Sequence, residues 1–128
     1  MLSLALPSRI FVCTLPTDMR KSFDSLAALV QTHLDQDPLS GDLFVFRSRR
    51  GDRMKLLWWD EDGYGFFYKR LEEGSFVLPT ADGQRATAGD HGLVLRPAEL
   101  AMLLDGVDLG HVQRHKRYQR PTAAAAVT

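Results

Sequence analysis

Most of the features that announce a mechanism are missing from this 128-residue chain. It has a single cysteine, Cys13, so no disulfide can form within it and a reducing cytoplasm is the expected compartment. Neither sign of charge is in excess. Sixteen Lys and Arg balance sixteen Asp and Glu, so attraction to an anionic partner has to come from local clustering. No apolar run approaches the roughly 18 residues that cross a bilayer. The stretch from Met1 to Leu6 is apolar but lacks the positive start and the length of a secretory leader. No membrane association is expected.

Chemistry is equally sparse. There is no glycine-rich loop of the Walker or dinucleotide type, so no nucleotide cofactor or small-molecule substrate is implied. His111 and His115 have the i, i+4 spacing of a helical metal pair, yet they lack an adjacent glutamate and a third ligand, and no metal is expected there. Cys13 lies in an apolar strand with no histidine near it in sequence and reads as a small buried hydrophobe. Asp52 and Lys55 resemble a nuclease carboxylate–lysine pair only faintly, their spacing is wrong, and the turn needs Asp52. No catalytic residue is assigned; a cryptic nuclease is the enzymatic alternative.

What is present is a soluble globular composition, 45% hydrophobic and 25% charged, on a length suited to one domain. We place that domain at residues 1–110 and a basic, partly flexible tail at 111–128. Ile10 to Cys13 reads as a first strand closed by Pro16. Phe23, Leu26, Ala27, Val30 and Leu34 recur at spacings of three and four, which predicts a helix over Ser22 to Leu34 with Thr17 or Ser22 as its cap. Three strands follow, Leu43–Arg47, Arg53–Trp59 and Tyr64–Lys69, joined by a turn at Ser48–Asp52 and an Asp-Gly hairpin at Asp60–Gly63. Phe76–Pro79 is expected as a short edge strand, Thr80–Gly89 as a loop and Leu93–Leu95 as a last strand. Pro97–Leu104 is expected as a second helix with proline in its first turn and Gly106 beyond its end, although Arg96 stands where a serine or threonine cap is usual. The fold class is α+β: a small antiparallel meander packed by the N-terminal helix, with a second C-terminal helix.

Counting residues through the turns sets Arg53 opposite Arg70, Trp59 opposite Tyr64 and, for a five-residue first turn, Arg47 opposite Arg53. One face then carries Phe44, Phe46, Met54, Leu56, Trp58 and Phe67 as the core under helix one, with Gly65 leaving room beside Trp58. The other carries Val45, Arg47, Lys55, Leu57, Trp59, Tyr64, Phe66 and Tyr68. The meander is polarised along its length. Arg47, Arg49, Arg50, Arg53, Lys69 and Arg70 gather at one end, and Asp60, Glu61 and Asp62 at the other. Two readings compete. In one, the basic groups with Lys55 bind phosphates while Trp59, Phe66 and Tyr68 stack on bases or on a partner. In the other, helix two covers the aromatic face and the arginines form a solvated turn.

Two long segments carry a resemblance. Pro16-Thr-Asp-Met-Arg-Lys-Ser-Phe-Asp-Ser-Leu-Ala-Ala-Leu-Val30 and Asp37-Pro-Leu-Ser-Gly-Asp-Leu-Phe-Val-Phe-Arg-Ser-Arg-Arg-Gly-Asp-Arg-Met-Lys-Leu-Leu-Trp-Trp-Asp60 closely resemble the small accessory protein, often called TnpB, of insertion-sequence-66-type bacterial transposable elements. Asp62-Gly63, Lys69 to Glu72, Gly74 to Phe76 and Glu99 to Val107 continue it, so the likeness runs from about Ser8 to Asp108. It departs at Ser25, where the family commonly has glycine, and at Arg96. The resemblance implies a setting, element DNA and a separate catalytic transposase, and it carries over no catalytic residue. Two functions are therefore expected to compete: a non-catalytic DNA-binding helper in transposition, and an interaction module that recruits or orders the transposase.

Overall fold

A computed structural model of the chain describes residues 9–106 together with 109 and 110. The basic tail from His111 onward, with the His111/His115 pair, lies outside the described residues. Six strands form one sheet: β1 (Ile10–Cys13), β2 (Leu43–Arg47), β3 (Arg53–Trp59), β4 (Tyr64–Arg70), β5 (Thr87–Ala88) and β6 (Gly92–Leu95). Their spatial order is β4-β3-β2-β1-β6-β5. The helices are α1 (Phe23–Leu34) and α2 (Pro97–Leu104). The class is α+β, and the meander is half of a larger sheet. β1 runs parallel to β2, with α1 as the crossover between them, and every other pairing is antiparallel.

Local chemistry sets the helix ends. Ser22 is the N-cap of α1, and its N–H donates to the Ser25 hydroxyl at 2.9 Å. Ser25 thus satisfies one of the free donors at the start of the helix. α2 begins without a capping hydroxyl. The Glu99 carboxylate instead reaches back to accept from the Arg96 N–H at 3.0 Å, the carboxylate half of a capping box.

The β3–β4 register agrees with the sequence count: Arg53 faces Arg70, Trp58 faces Gly65 and Trp59 faces Tyr64. A Cβ on Gly65 would lie 2.7 Å from the Trp58 ring, so glycine is what admits the indole. The β2–β3 register differs from the count by one residue. Arg47 faces Met54, not Arg53, and Phe44 faces Leu57. The Ser48 N–H bonds to Arg53 O, so Ser48 belongs to the ladder and the turn is the four residues Arg49–Asp52, with Gly51 at φ +81°.

A one-residue shift exchanges the faces of a strand, and the two cores are regrouped accordingly. Phe44 and Phe46 pack with Phe11, Cys13 and Leu57 beneath Leu26, Val30 and Leu34 of α1. Val45, Met54, Leu56 and Trp58 lie on the other face with Ile10, Val12, Phe76, Leu93, Leu95 and, from α2, Leu103. Helix one therefore does not cover Met54, Leu56 and Trp58, and helix two does not lie over the aromatic face. Phe67, expected in the core, lies on the outermost strand and is 44% exposed.

Two further expectations are corrected. Phe76–Pro79 is not a strand. Phe76 is fully buried and its N–H bonds to Gly51 O at 2.7 Å, so the segment is pinned to the turn rather than to a sheet edge. The polar stretch Thr80–Gly89 contains β5, two residues held against β6.

A bidentate ion pair that sequence reasoning missed fastens this C-terminal half. Arg85 donates to both Glu99 oxygens at 2.8 and 2.6 Å and also to Val94 O at 3.0 Å, joining the loop before β5 to β6 and α2. The Glu99 side chain is 7% exposed. Burial alone would raise its pKa, but the Arg85 hydrogen bonds, the Arg96 N–H and the two arginine charges outweigh it and hold the carboxyl down at about 2. The folded-state pKa is depressed, so the unfolded chain binds the proton first. The stabilisation is whole above about pH 5 and drains as pH falls toward 2. Glu99→Gln should cost about 3–5 kcal/mol at neutral pH by leaving Arg85 buried and uncompensated. It should also flatten the acid limb of stability in urea titrations across that window. Arg85→Met combined with Glu99→Leu should cost less than Glu99→Gln alone.

Candidate nucleic-acid interface

The basic end of the meander is built where the β2–β3 turn meets the loop that follows β1. The Thr17 N–H donates to Arg47 O at 2.9 Å, which carries Thr17–Arg20 alongside the turn. Thr17, Asp18, Met19, Arg20, Ser48, Arg49, Arg50, Asp52 and Arg53 line an open cavity of about 410 Å³. Four arginines and two aspartates thus share one hollow. Asp18 is already engaged by Arg20, whose Nη2 and Nε lie 2.7 and 3.1 Å from Asp18 Oδ2. Those hydrogen bonds, reinforced by the Arg20 N–H, hold the Asp18 carboxyl well below the usual carboxylate range. The Thr17 hydroxyl oxygen is buried with no hydrogen-bond partner among the described residues.

The seven basic residues singled out from the sequence divide into two groups. Arg47 turns inward on the α2 side, where its guanidinium donates to Phe76 O at 2.8 Å and desolvation lowers its pKa. Lys55 points to the other face and is only 5% exposed. Its Nζ donates to Lys21 O at 2.7 Å and lies 4.9 and 4.8 Å from the centres of the Phe66 and Tyr68 rings. Burial lowers its pKa, partly opposed by the Asp18 charge. Lys69 donates to Leu104 O at the end of α2, supplying a cation where carbonyls lack partners. These three are committed to the fold.

Arg49, Arg50 and Arg53 differ: among the described residues their guanidinium groups have no hydrogen bond or ion pair. Arg70 pairs with Glu72 at 3.1 Å, but both side chains are largely exposed and the pair is weak. Arg53, Tyr68, Arg70 and Glu72 line a second hollow of about 370 Å³ next to the first. Arg20 and Thr17 are members of the site that sequence spacing did not bring to the turn. The signal was the parallel β1–β2 pairing, which no local pattern encodes.

The aromatic residues proposed as a partner surface are only partly covered. Trp59 is half-buried, edge-on to Tyr64 with ring centres 5.1 Å apart. Phe66 packs against Phe23 at the start of α1 with the rings tilted, 4.6 Å centre to centre. Tyr68 is 45% exposed and Phe23 41%. Cys13 is buried, and desolvation raises its thiol pKa. Among the described residues no group of three His, Cys, Asp or Glu could hold a metal ion, and no helix is long and apolar enough to cross a membrane.

Comparison with known proteins gives this geometry a context. Residues 8–114 match the family model described as IS66 Orf2 like protein. The uncharacterized protein y4hO of Sinorhizobium fredii (strain NBRC 101917 / NGR234) is 44% identical over 105 residues, covering 82% of this chain and 85% of that protein. The uncharacterized protein y4jC of the same strain is 39% identical over 117 residues, covering 91% and 93%. No solved structure matches the chain. With the family model spanning the whole sheet and both helices, the chain belongs to the IS66 Orf2-like family, an accessory family of insertion sequences.

Proposed function

We propose that this chain is a non-catalytic accessory factor in transposition that holds element DNA by its phosphates through Arg49, Arg50 and Arg53, with Arg20 and Arg70 at the rim. One observation carries the reading: three guanidinium groups without partners among the described residues converge on a cavity of about 410 Å³, while Arg47, Lys55 and Lys69 are each held by a backbone carbonyl. Like charges held together repel, Asp18 is already taken by Arg20, and an anion relieves the remaining repulsion. A planar guanidinium suits a phosphate, which it can grip with two parallel hydrogen bonds. The chain as a whole is neutral, so the attraction is local and the acidic turn Asp60–Asp62 keeps the opposite end of the sheet off the backbone.

The measurement is binding of the purified chain to labelled element-end duplex across a salt series. Each phosphate contact adds about 0.9 to the slope of log K against log salt. Arg49→Ala with Arg50→Ala should therefore lower the slope by about two. Arg47→Ala should leave the slope unchanged and instead cost about 1–3 kcal/mol of stability by stranding Phe76 O. A double variant that binds as tightly as the parent at every salt concentration contradicts the proposal. Metal-dependent cleavage of the duplex by the purified chain would contradict its non-catalytic part.

The exposure of Tyr68 and Phe23 favours a second role, docking the transposase on the α1 side of β4. Tyr68→Ala and Phe23→Ala should then reduce co-purification with the transposase at least several-fold without changing the salt slope. Unchanged recovery removes that surface from consideration.

A further inference from the structure

β4 is the outermost strand of the sheet, seven residues long, with no proline and no bulge in its pairing to β3. Its hydrogen bonding to β3 follows from two contacts at its ends: the Asp60 N–H donates to Gly63 O, and the Leu71 N–H donates to Asp52 O. Antiparallel ladders alternate bonded and non-bonded pairs. Gly65, Phe67 and Lys69 therefore bond to β3, while the N–H and C=O groups of Tyr64, Phe66, Tyr68 and Arg70 point away from the sheet. Four residues thus present an unfilled template along one straight edge. Soluble proteins normally blunt such an edge with proline, a bulge or an inward charge.

We infer that this edge pairs with the same edge of a second copy, antiparallel and centred on Phe66, so that two six-stranded sheets join into one. This inference does not rest on the DNA reading, with which it shares only Arg70. Three features of the strand select the second copy and the register. First, the edge is charged in opposite senses at its two ends, Asp60, Glu61 and Asp62 before it and Lys69 and Arg70 at its close. A two-fold axis across the strand sets the acidic end of each copy against the basic end of the other. Counting outward from Phe66 places Asp62 opposite Arg70 of the second copy. The acidic side chains form no ion pair among the described residues, and Arg70 has only its exposed contact with Glu72.

Second, the same count sets Tyr64 against Tyr68 of the second copy in a bonded pair, an aromatic cross-strand contact on the face where Tyr68 is now 45% exposed. Third, on the opposite face it sets Phe67 against Gly65 in a non-bonded pair, where side chains approach most closely. Phe67 is 44% exposed, and Gly65 is kept bare by Trp58 behind it. An aromatic ring laid across an edge glycine is a recurrent way of covering one. A shift of the axis by one position, to Phe67, would oppose Asp62 with Glu72 and lose both the charge match and the ring over glycine.

The test is the mass of the full-length chain in solution by sedimentation or light scattering. The parent should have twice the 14.4 kDa chain mass at micromolar concentration. Phe67→Lys alters an exposed side chain, and Tyr68→Pro removes an N–H that β3 does not use. Both should give folded monomers by circular dichroism, with the dimer dissociation constant raised at least tenfold. A monomeric parent overturns the inference, as does a dimer that survives either substitution. The register is read separately: Arg70→Glu should favour the monomer several-fold, and adding Asp62→Lys should restore the dimer. Failure to restore it overturns the Phe66-centred pairing.

Discussion

The pairing of Arg47 with Met54 across β2 and β3 decides which way every side chain of the central strands faces. It is fixed at one end by the four-residue turn closed by Ser48 and Arg53, and secured from behind by the Phe76 N–H on Gly51 O. With that register, Phe44 and Phe46 share a core with Leu57 under α1, and Val45 shares another with Met54 and Leu56 under α2. A slip of one residue would set Phe44 and Phe46 on the opposite face from Leu57 and break up both cores, so the turn length is under strong energetic control.

The same register sorts the cations. Three strand cations lie on the two covered faces, and each finds a carbonyl: Arg47 on Phe76, Lys55 on Lys21, Lys69 on Leu104. Those on the turn have no covering layer. Arg49 and Arg50 project past the ladder, and Arg53, at the first position of β3, opens on the same hollow. A buried cation needs its bonds because the interior does not solvate it, whereas an exposed one is free to trade water for a phosphate oxygen. Proximity in sequence thus hides a division of labour between cations that hold the fold and cations that are available.

Much of the architecture was readable in advance. Both helices, five of the six strands and the β3–β4 register followed from periodicity, the Asp60–Gly63 hairpin signal and the glycine opposite Trp58. The Asp-Gly turn has one favoured length, whereas the arginine turn admits four or five residues, and composition alone did not choose between them. β5 has two residues and no hydrophobic alternation to betray it. The site was half readable: Arg49, Arg50 and Arg53 were identified by position, but Thr17 and Arg20 arrive through the parallel pairing of β1 with β2, a contact between distant segments. The Arg85–Glu99 pair, fourteen residues apart and lying between a loop and a helix, had no local pattern at all.

The sheet therefore holds an open arginine cavity at one end, an acidic turn at the other and an unpaired strand along its side, in a family whose setting is the mobile element. The most direct test of the central claim is an NMR titration of the isotope-labelled chain with element-end duplex, following backbone amides and arginine side-chain N–H signals. The account predicts saturable shifts confined to Thr17–Arg20, Ser48–Arg53 and Arg70, with the Arg47 guanidinium and the environment of Lys55 unmoved. Shifts centred on the Asp60–Gly63 turn, or equal perturbation of Arg47 and Arg49, would contradict it.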